Sequence, residues 1–373
     1  MDAAKPSLDM LRALTDEHVL RALMAHRRLT RAELATRTGI SKPTISESVR
    51  RLDAAGLVVD TGERTTGRGR IGSYYGLAPD LGCALVVSVA PEGVVVEAVD
   101  PHGDVIGGSA EQVERPARPA QVVRAIRAAT RDAQGAPACR MRLAVVSAAD
   151  PVDRSTGRLV HLPDAPFLIG ELSPVDLLAE FVDGPVLVDN DVNWAARAER
   201  AAAPGLDDFV YLHLGDGLGC AVVNDGEVRR GHAGLVGEIA HVLTLGPQGT
   251  AVPFTEVFAA LGLRRPGTTA IDVEALRTQI GSTGGSAMAG ALSRAVCGLL
   301  AAVVALADPE LVVVGGTWGP EPAVLDAITD DLRRLPRPVP IRTARVTDRP
   351  SLAGARDHAL AQLRAAVTSA ARP

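Results

Sequence analysis

The sequence predicts an α/β protein in two parts: a winged helix-turn-helix head over residues 1–78 and a body over 79–373 built from a duplicated mixed α/β unit. Three observations predict this. A helix capping box and a Gly turn lead into a helix with a polar face, followed by a basic Gly-rich loop. A strand, Gly turn, strand, polar-Gly turn order occurs twice, about 125 residues apart. Charge is divided, with residues 1–78 at net +4 and the remainder at net −9.

At 373 residues the chain is long enough for two or three domains, each with its own core. With 47% hydrophobic and 22% charged residues it reads as globular, and with only 3% aromatic residues its core must rest on Val, Leu, Ile and Ala. Residues 1–7 lack the apolar stretch of a secretory leader, and the apolar run near 298–307 reads as too short to span a bilayer. A cytoplasmic protein without a membrane partner is expected. Cys83, Cys139, Cys220 and Cys297 are scattered without metal-ligand or redox spacing, so free thiols are expected. A basic head on an acidic body places the contact with a polyanion on the head.

In the head, residues 16–28 read as a helix with Val19, Leu20, Leu23 and Met24 on one face. Thr30-Arg31-Ala32-Glu33 makes a capping box that opens a second helix, and Gly39 ends it. Ser41 caps a third helix with Pro43 in its first turn. Two short helices across a Gly turn are a helix-turn-helix. Ile45, Val49 and Leu52 form the buried face of the third helix, which leaves Lys42, Thr44, Ser46, Glu47, Arg50 and Arg51 for base edges and phosphates. Strands at 57–60 and 71–77 flank a Gly-rich loop, so Arg64, Arg68 and Arg70 make a basic wing suited to a narrow minor groove. The alternative, a winged helix used for protein contacts, is outweighed by this combination.

In the body, strands are expected at 83–90 and 94–100, then at 208–214 and 219–223. A helix (120–134) and strand (141–147) follow the first pair; a helix (286–306) and strand (311–315) follow the second. Such a duplication makes two lobes, one at about 80–190 with the C-terminal helix (351–370) and one at about 191–350, with ligands held between them.

Three segments carry a resemblance: Asp189-Asn190-Asp191-Val192-Asn193, Gly215-Asp216-Gly217-Leu218-Gly219, and the stretch from Gly231 to His241 that contains Glu238. In this order, behind Ser41-Lys42-Pro43-Thr44-Ile45-Ser46, they resemble the regulator branch of the ROK family of repressors and sugar kinases. The resemblance covers essentially the whole chain. It implies a duplicated actin-like, sugar-kinase-like (ribonuclease H-like) fold.

The resemblance also implies a sugar site. Asn190, Asp191, Glu238, His241 and Glu256 stand at or near its ligand-binding positions, and the residue matching Asp191 is the general base of family kinases. Kinases of the family carry an Asp-x-Gly-Gly-Thr phosphate loop, where this chain has Ser88-Val89-Ala90-Pro91-Glu92-Gly93. The magnesium-positioning Asp is lost, Pro91 removes an amide donor, and Glu92 adds negative charge beside the phosphates. The family's structural zinc site is expected to be lost as well, because no cysteine follows His241 up to Glu256. Ala240 in place of Gly, and missing Asn and Trp around 161–170, argue against an ordinary hexose. The plainer reading is that Asn190 and Asp191 are turn chemistry, with Asp191 capping a helix over 192–199, and that Glu238 and His241 only brace a loop.

These readings predict a DNA-binding transcriptional regulator, a repressor on the family pattern, with no catalytic residue, cofactor or metal. Its expected partners are a double-stranded operator with inverted repeats, a small-molecule effector such as a sugar, and a second copy of itself, since one winged helix reads too few base pairs. The alternatives are an orphan regulator with a ligand-free dimerisation scaffold and a sugar kinase with a DNA-binding head.

Overall fold

The computed structural model describes residues 8–66, 71–115, 117–134, 139–162, 166–167 and 171–371. Helices α1 (Leu8–His26), α2 (Arg31–Thr38) and α3 (Lys42–Ala54) pack on a sheet of β1 (Arg28–Thr30), β2 (Val58–Arg64) and β3 (Ser73–Leu77) in the order β1-β3-β2. The capping box at Thr30 and Glu33 forms, Gly39 takes the left-handed conformation at φ 70°, and the Ser41 hydroxyl caps α3. The first helix starts at Leu8, eight residues earlier than expected. Leu8, Met10, Leu11 and Leu14 of these two extra turns are exposed, so helix propensity and the Arg12–Asp9 pair extend it rather than core packing. The missed β1 is three residues long, too short for periodicity to reveal.

The body contains two five-stranded sheets of the same topology. The first comprises β4 (Cys83–Ala90), β5 (Gly93–Val99), β6 (Val105–Glu111), β7 (Met141–Ala148) and β8 (Val186–Asn190), with α4 (Pro119–Gln134) between β6 and β7 and α5 (Pro174–Leu178) before β8. Helix α6 (Asp191–Ala201) then crosses to the second sheet, β9 (Phe209–Leu214), β10 (Leu218–Asn224), β11 (Glu227–Val228), β14 (Leu311–Gly315) and β15 (Ile341–Thr343). Between β11 and β14 come the hairpin β12 (Leu243–Leu245) and β13 (Ala251–Pro253) and helices α7 (Phe254–Ala260), α8 (Val273–Ile280) and α9 (Gly285–Ala307). Helix α10 (Pro322–Leu332) follows β14, and α11 (Pro350–Ser369) follows β15.

The strand orders are β6-β5-β4-β7-β8 and β11-β10-β9-β14-β15. In both sheets the first three strands are antiparallel and the last two run parallel to the central one. The duplicated fold expected from the sequence is therefore present. Buried Val, Leu, Ile and Ala from each sheet and its helices form the two main cores.

One expectation is corrected. The apolar run near 298–307 is part of a 23-residue helix, α9, which by length and composition alone could cross a membrane. Leu292, Ala295, Val296, Leu299 and Leu300 of α9 are instead packed into the second lobe's core, so it serves as a core helix.

Helix α11 touches three parts of the molecule. Leu352, Ala355, Ala359 and Leu363 lie against the first sheet and Trp194 of α6. Gly354 is required there, because a Cβ would stand 2.0 Å from the Trp194 carbonyl oxygen. One turn beyond Leu363, Val367 enters the core of the head with Val19, Leu20 and Leu23. Arg364 donates to the carbonyls of Pro101 and His102 in the β5–β6 turn, the His102 ring contacts the Met24 carbonyl, and Asp104 pairs with Arg27. The head is thus seated on the body through α11 and one turn.

Candidate functional site

Helix α3 presents the DNA-facing candidates. Ile45, Ser48, Val49 and Leu52 are buried, which fixes the helix and turns Lys42, Thr44, Glu47 and Arg50 outward, with Ser46 partly exposed. Arg50 pairs with Glu47 at 2.6 Å on the surface, an exposed pair that a phosphate can replace at little cost. The exposed Glu47 carboxyl is held below its ordinary range by this hydrogen bond from Arg50.

Arg51 departs from the expectation. Its side chain donates two hydrogen bonds to Asp16, at 2.6 and 3.2 Å, and Asp16 is only 5% exposed and also accepts from Ser48. Arg51 therefore ties α3 to α1, and the reason is Asp16: its buried carboxylate must keep a cation. In the wing, Arg64 pairs with Asp60 at 2.9 Å and remains about half exposed. Arg68 and Arg70 lie outside the described residues.

The second site is a cleft of about 1130 Å³ bounded by both sheets, α6, the loop over 231–241 and the start of α11. Asn190, Asp191, Glu238 and His241 all line it. Glu256 does not. It lies on α7, about half exposed, with its carboxylate 3.2 Å from Arg264, because the short β12–β13 hairpin leads directly into that helix and turns the side chain away.

The residue at the head of α6 also differs from its reading. Asn190, not Asp191, is the cap: its side-chain oxygen accepts from the Val192 amide, while its nitrogen donates to the carbonyls of Ala148 and Asp150. Asp191 is the first helical residue, which leaves its carboxyl to face the cleft. Burial pushes that carboxyl up to about 7, and negative charge on Glu92 adds to the shift. Burial also raises Glu238 to about 7, reinforced by Asp191 and Asp150.

Glu238 and His241 are not on a helix. The 231–241 loop is a chain of turns, and Gly237 at φ 97° lets it press so close that a Cβ would stand 1.7 Å from the Cys220 carbonyl oxygen. The same loop reaches the first lobe, where Arg154 donates to the carbonyls of Gly231 and Ala233. It therefore spans the cleft and holds Glu238 opposite Asp191.

The β4–β5 connection is a tight hairpin, with Ala90 paired to Gly93 across Pro91 and Glu92. Pro91 removes one amide donor from this turn, and its carbonyl accepts from Arg115. In the second Gly turn, 215–219, the Gly215 amide donates to the Gly217 carbonyl, and the Gly215 carbonyl accepts from the Trp318 indole. The β4–β5 turn does not offer the carboxylate and the full set of amides that a loop for a magnesium–triphosphate uses. Nor does the His241 region fit zinc, since β12 and β13 hold no thiolate.

Sequence reasoning missed Arg115, Asp216, Arg265 and Tyr211. Arg115 of the first lobe and Arg265 of the second both reach Asp216, at 3.3 and 3.4 Å, an ion-pair latch across the cleft. Nothing in local spacing marks residues 101 positions apart as partners. The hydroxyl of Tyr211, which lines the cleft at 1% exposure, has no hydrogen-bond partner among the described residues.

A winged helix-turn-helix joined to a two-lobed sugar-kinase-like body, with a cleft between the lobes, defines the class. Residues 12–59 match the winged helix-turn-helix DNA-binding family, and residues 98–252 match the ROK family. The chain carries a ROK family domain behind an N-terminal winged helix-turn-helix.

Among solved structures, a ROK family transcriptional regulator, homolog of the E. coli MLC protein, superposes with a TM-score of 0.65 at 18% identity, covering 96% of this chain and 99% of that one. A ROK family glucokinase from Streptomyces griseus, solved with glucose and AMPPNP, gives 0.56 at 24% identity, covering 74% and 99%. Both show the shared fold. By sequence, glucokinase of Halalkalibacterium halodurans is 40% identical over 78 residues, 20% of this chain and 23% of that protein. Glucokinase of Streptomyces coelicolor is 28% identical over 165 residues, 43% of this chain and 50% of that protein. The chain thus spans between about a quarter and half of the length of these curated relatives.

Proposed function

We propose that this chain is a transcription regulator whose head binds operator DNA and whose kinase-like body binds a small polyhydroxylated effector without phosphorylating it. The observation that carries the reading is α11, which begins in the wall of the effector cleft and ends in the core of the DNA-binding head. A ligand that changes the lobe angle therefore acts on the head directly. Asp191 and Glu238 supply acceptors for adjacent hydroxyls, while His241 and the Tyr211 hydroxyl offer further hydrogen bonds. A cytoplasmic homodimer reading an inverted repeat completes the proposal, since two heads give the selectivity one lacks.

A sugar kinase is the second reading, and Asp191 favours it: a carboxyl near 7 is poised as a general base at neutral pH. The Pro91-Glu92 hairpin weighs more, because Pro91 removes an amide donor and Glu92 sets negative charge where the phosphoryl donor would lie.

The test is selection of DNA from a random pool with the full-length protein, followed by anisotropy titrations against the enriched site in the presence of sugars, polyols and sugar acids. An enriched inverted repeat, release by one class of effector, and loss of that release in Asp191→Asn are expected. Enrichment of no sequence refutes the regulator. An operator that no compound releases leaves the scaffold alternative.

A further inference from the structure

The charges lining the cleft are unbalanced. Glu92, Asp191 and Glu238 reach it from three separate elements: the β4–β5 turn, the start of α6 and the 231–241 loop. No ion pair engages any of the three among the described residues. The guanidinium groups of Arg115 and Arg265 are both directed at Asp216, and Arg349, exposed at the start of α11, is the third arginine along the cleft. The Asp191 carboxyl feels Glu92, and the Glu238 carboxyl feels Asp191.

A second observation, independent of the acids, marks the same space as a ligand site. The Tyr211 hydroxyl is buried in the cleft wall beside Gly315 and has no hydrogen-bond partner among the described residues. A Cβ on Gly315 would stand 2.1 Å from it, so this glycine makes the room that the hydroxyl occupies at the cleft wall. A buried hydroxyl without a partner costs stability unless a ligand supplies one.

A phosphorylated or carboxylated ligand would bring negative charge against Glu92 and Asp191, and Arg349 alone among the arginines lining the cleft could meet it without leaving Asp216. A neutral polyol would leave the mutual repulsion of the carboxylates in place. A ligand with one cation and several hydroxyls removes the repulsion and fills the open hydrogen bonds.

We propose that the effector is a polyhydroxylated amine, of the amino-sugar class with a free ammonium group, whose cation sits between Glu92 and Asp191. This rests on the cleft being the effector site. Glu92 is then the specificity-determining residue. It is exposed in a two-residue turn, so its replacement leaves the sheet pairing of β4 and β5 intact.

The experiment is titration calorimetry of the full-length protein with glucosamine, mannosamine and galactosamine, beside the N-acetyl and 6-phosphate forms of each. At least one free amine is expected to bind about tenfold or more tightly than its N-acetyl form, the scale of one charge-assisted contact. Glu92→Gln should erase that preference, and Glu92→Lys should turn it toward the 6-phosphate. Circular dichroism checks that both variants fold. If the N-acetyl or phosphorylated form binds more tightly, and Asp191→Asn abolishes that binding, the amine inference falls and the cleft stands as the effector site. A preference for amine that survives in Glu92→Gln also overturns it. If no compound binds, the amine inference falls, and the cleft itself is then judged by the operator-release titrations.

Discussion

Arg50 and Arg51 are neighbours on one helix, and the structure gives them opposite roles, so replacing each by Ala separates recognition from folding. Arg51→Ala leaves the Asp16 carboxylate, 5% exposed, with Ser48 and without its cation. Removing one partner of a fully buried pair costs about 3–5 kcal/mol. The Arg51 side chain is 27% exposed and water can reach part of the site, which lowers the expected loss to about 2 kcal/mol. Opening of the head should then become about 30-fold easier, since 1.4 kcal/mol is a factor of ten. Hydrogen exchange read by mass spectrometry reports this directly on the amides of α1 to α3, with those of the two large sheets as internal reference. Arg50→Ala should leave exchange unchanged and weaken operator binding, with a salt slope smaller by about one if Arg50 meets a phosphate. Unchanged exchange in Arg51→Ala, together with weakened DNA binding, would refute the assignment of Arg51 to the head's core.

Three further outcomes follow from the same structure. Val367→Ala removes two buried methyl groups from the head's core and should cost about 2 kcal/mol of head stability, seen as faster exchange in α1, while the amides of β9 and β14 keep their protection. The Asp191 and Glu238 carboxyls are raised to about 7 in the folded protein from about 4 in the unfolded chain, so the folded state holds protons that the unfolded state releases. Their contribution to stability is full below about pH 4 and is lost as pH rises through about 7; urea titrations from pH 5 to 8 should show this decline, and Asp191→Asn should flatten it. A coupled assay should detect no ATP-dependent phosphorylation of common hexoses, and turnover that disappears in Asp191→Asn would reinstate the kinase reading.

The sequence made legible what local physics decides. Thr30, Glu33, Gly39 and Ser41 act within four residues of themselves, so the helix-turn-helix could be read to the residue. The duplicated sheets were visible because alternating strands and Gly turns repeat in order. The misreadings came from contacts distant in sequence. Arg51 looked like a DNA contact because nothing nearby announces that Asp16, 35 residues earlier, is buried beside it. Glu256 was placed by resemblance on a segment whose length differs, and a shortened hairpin rotated it out of the cleft. The plainer alternative to a ligand role put the cap on Asp191, because Asn190 and Asp191 are both good caps and only the backbone at the strand's end decides which of them leads the helix.

How a cleft in the body could govern the head depends on the stiffness of α11. A 20-residue helix spans roughly 30 Å, and this one is held on a single apolar stripe from Leu352 to Val367. Its first turn lines the cleft beside Thr347 and Arg349, while its last turn is in the head's core. Just before it, the chain is anchored to α6, where the fully buried Glu199 accepts from Arg342 and from the amides of Arg345 and Val346. Helix α6 in turn begins at Asp191. A ligand that moves Asp191 therefore bears on α6, on the strap that leads into α11, and through α11 on the head. Packed helices shift as units because a dense core does not deform gradually. The coupling requires the differential contact of the ligand with two lobe angles, and the latch of Arg115 and Arg265 on Asp216 is the contact best placed to differ between them.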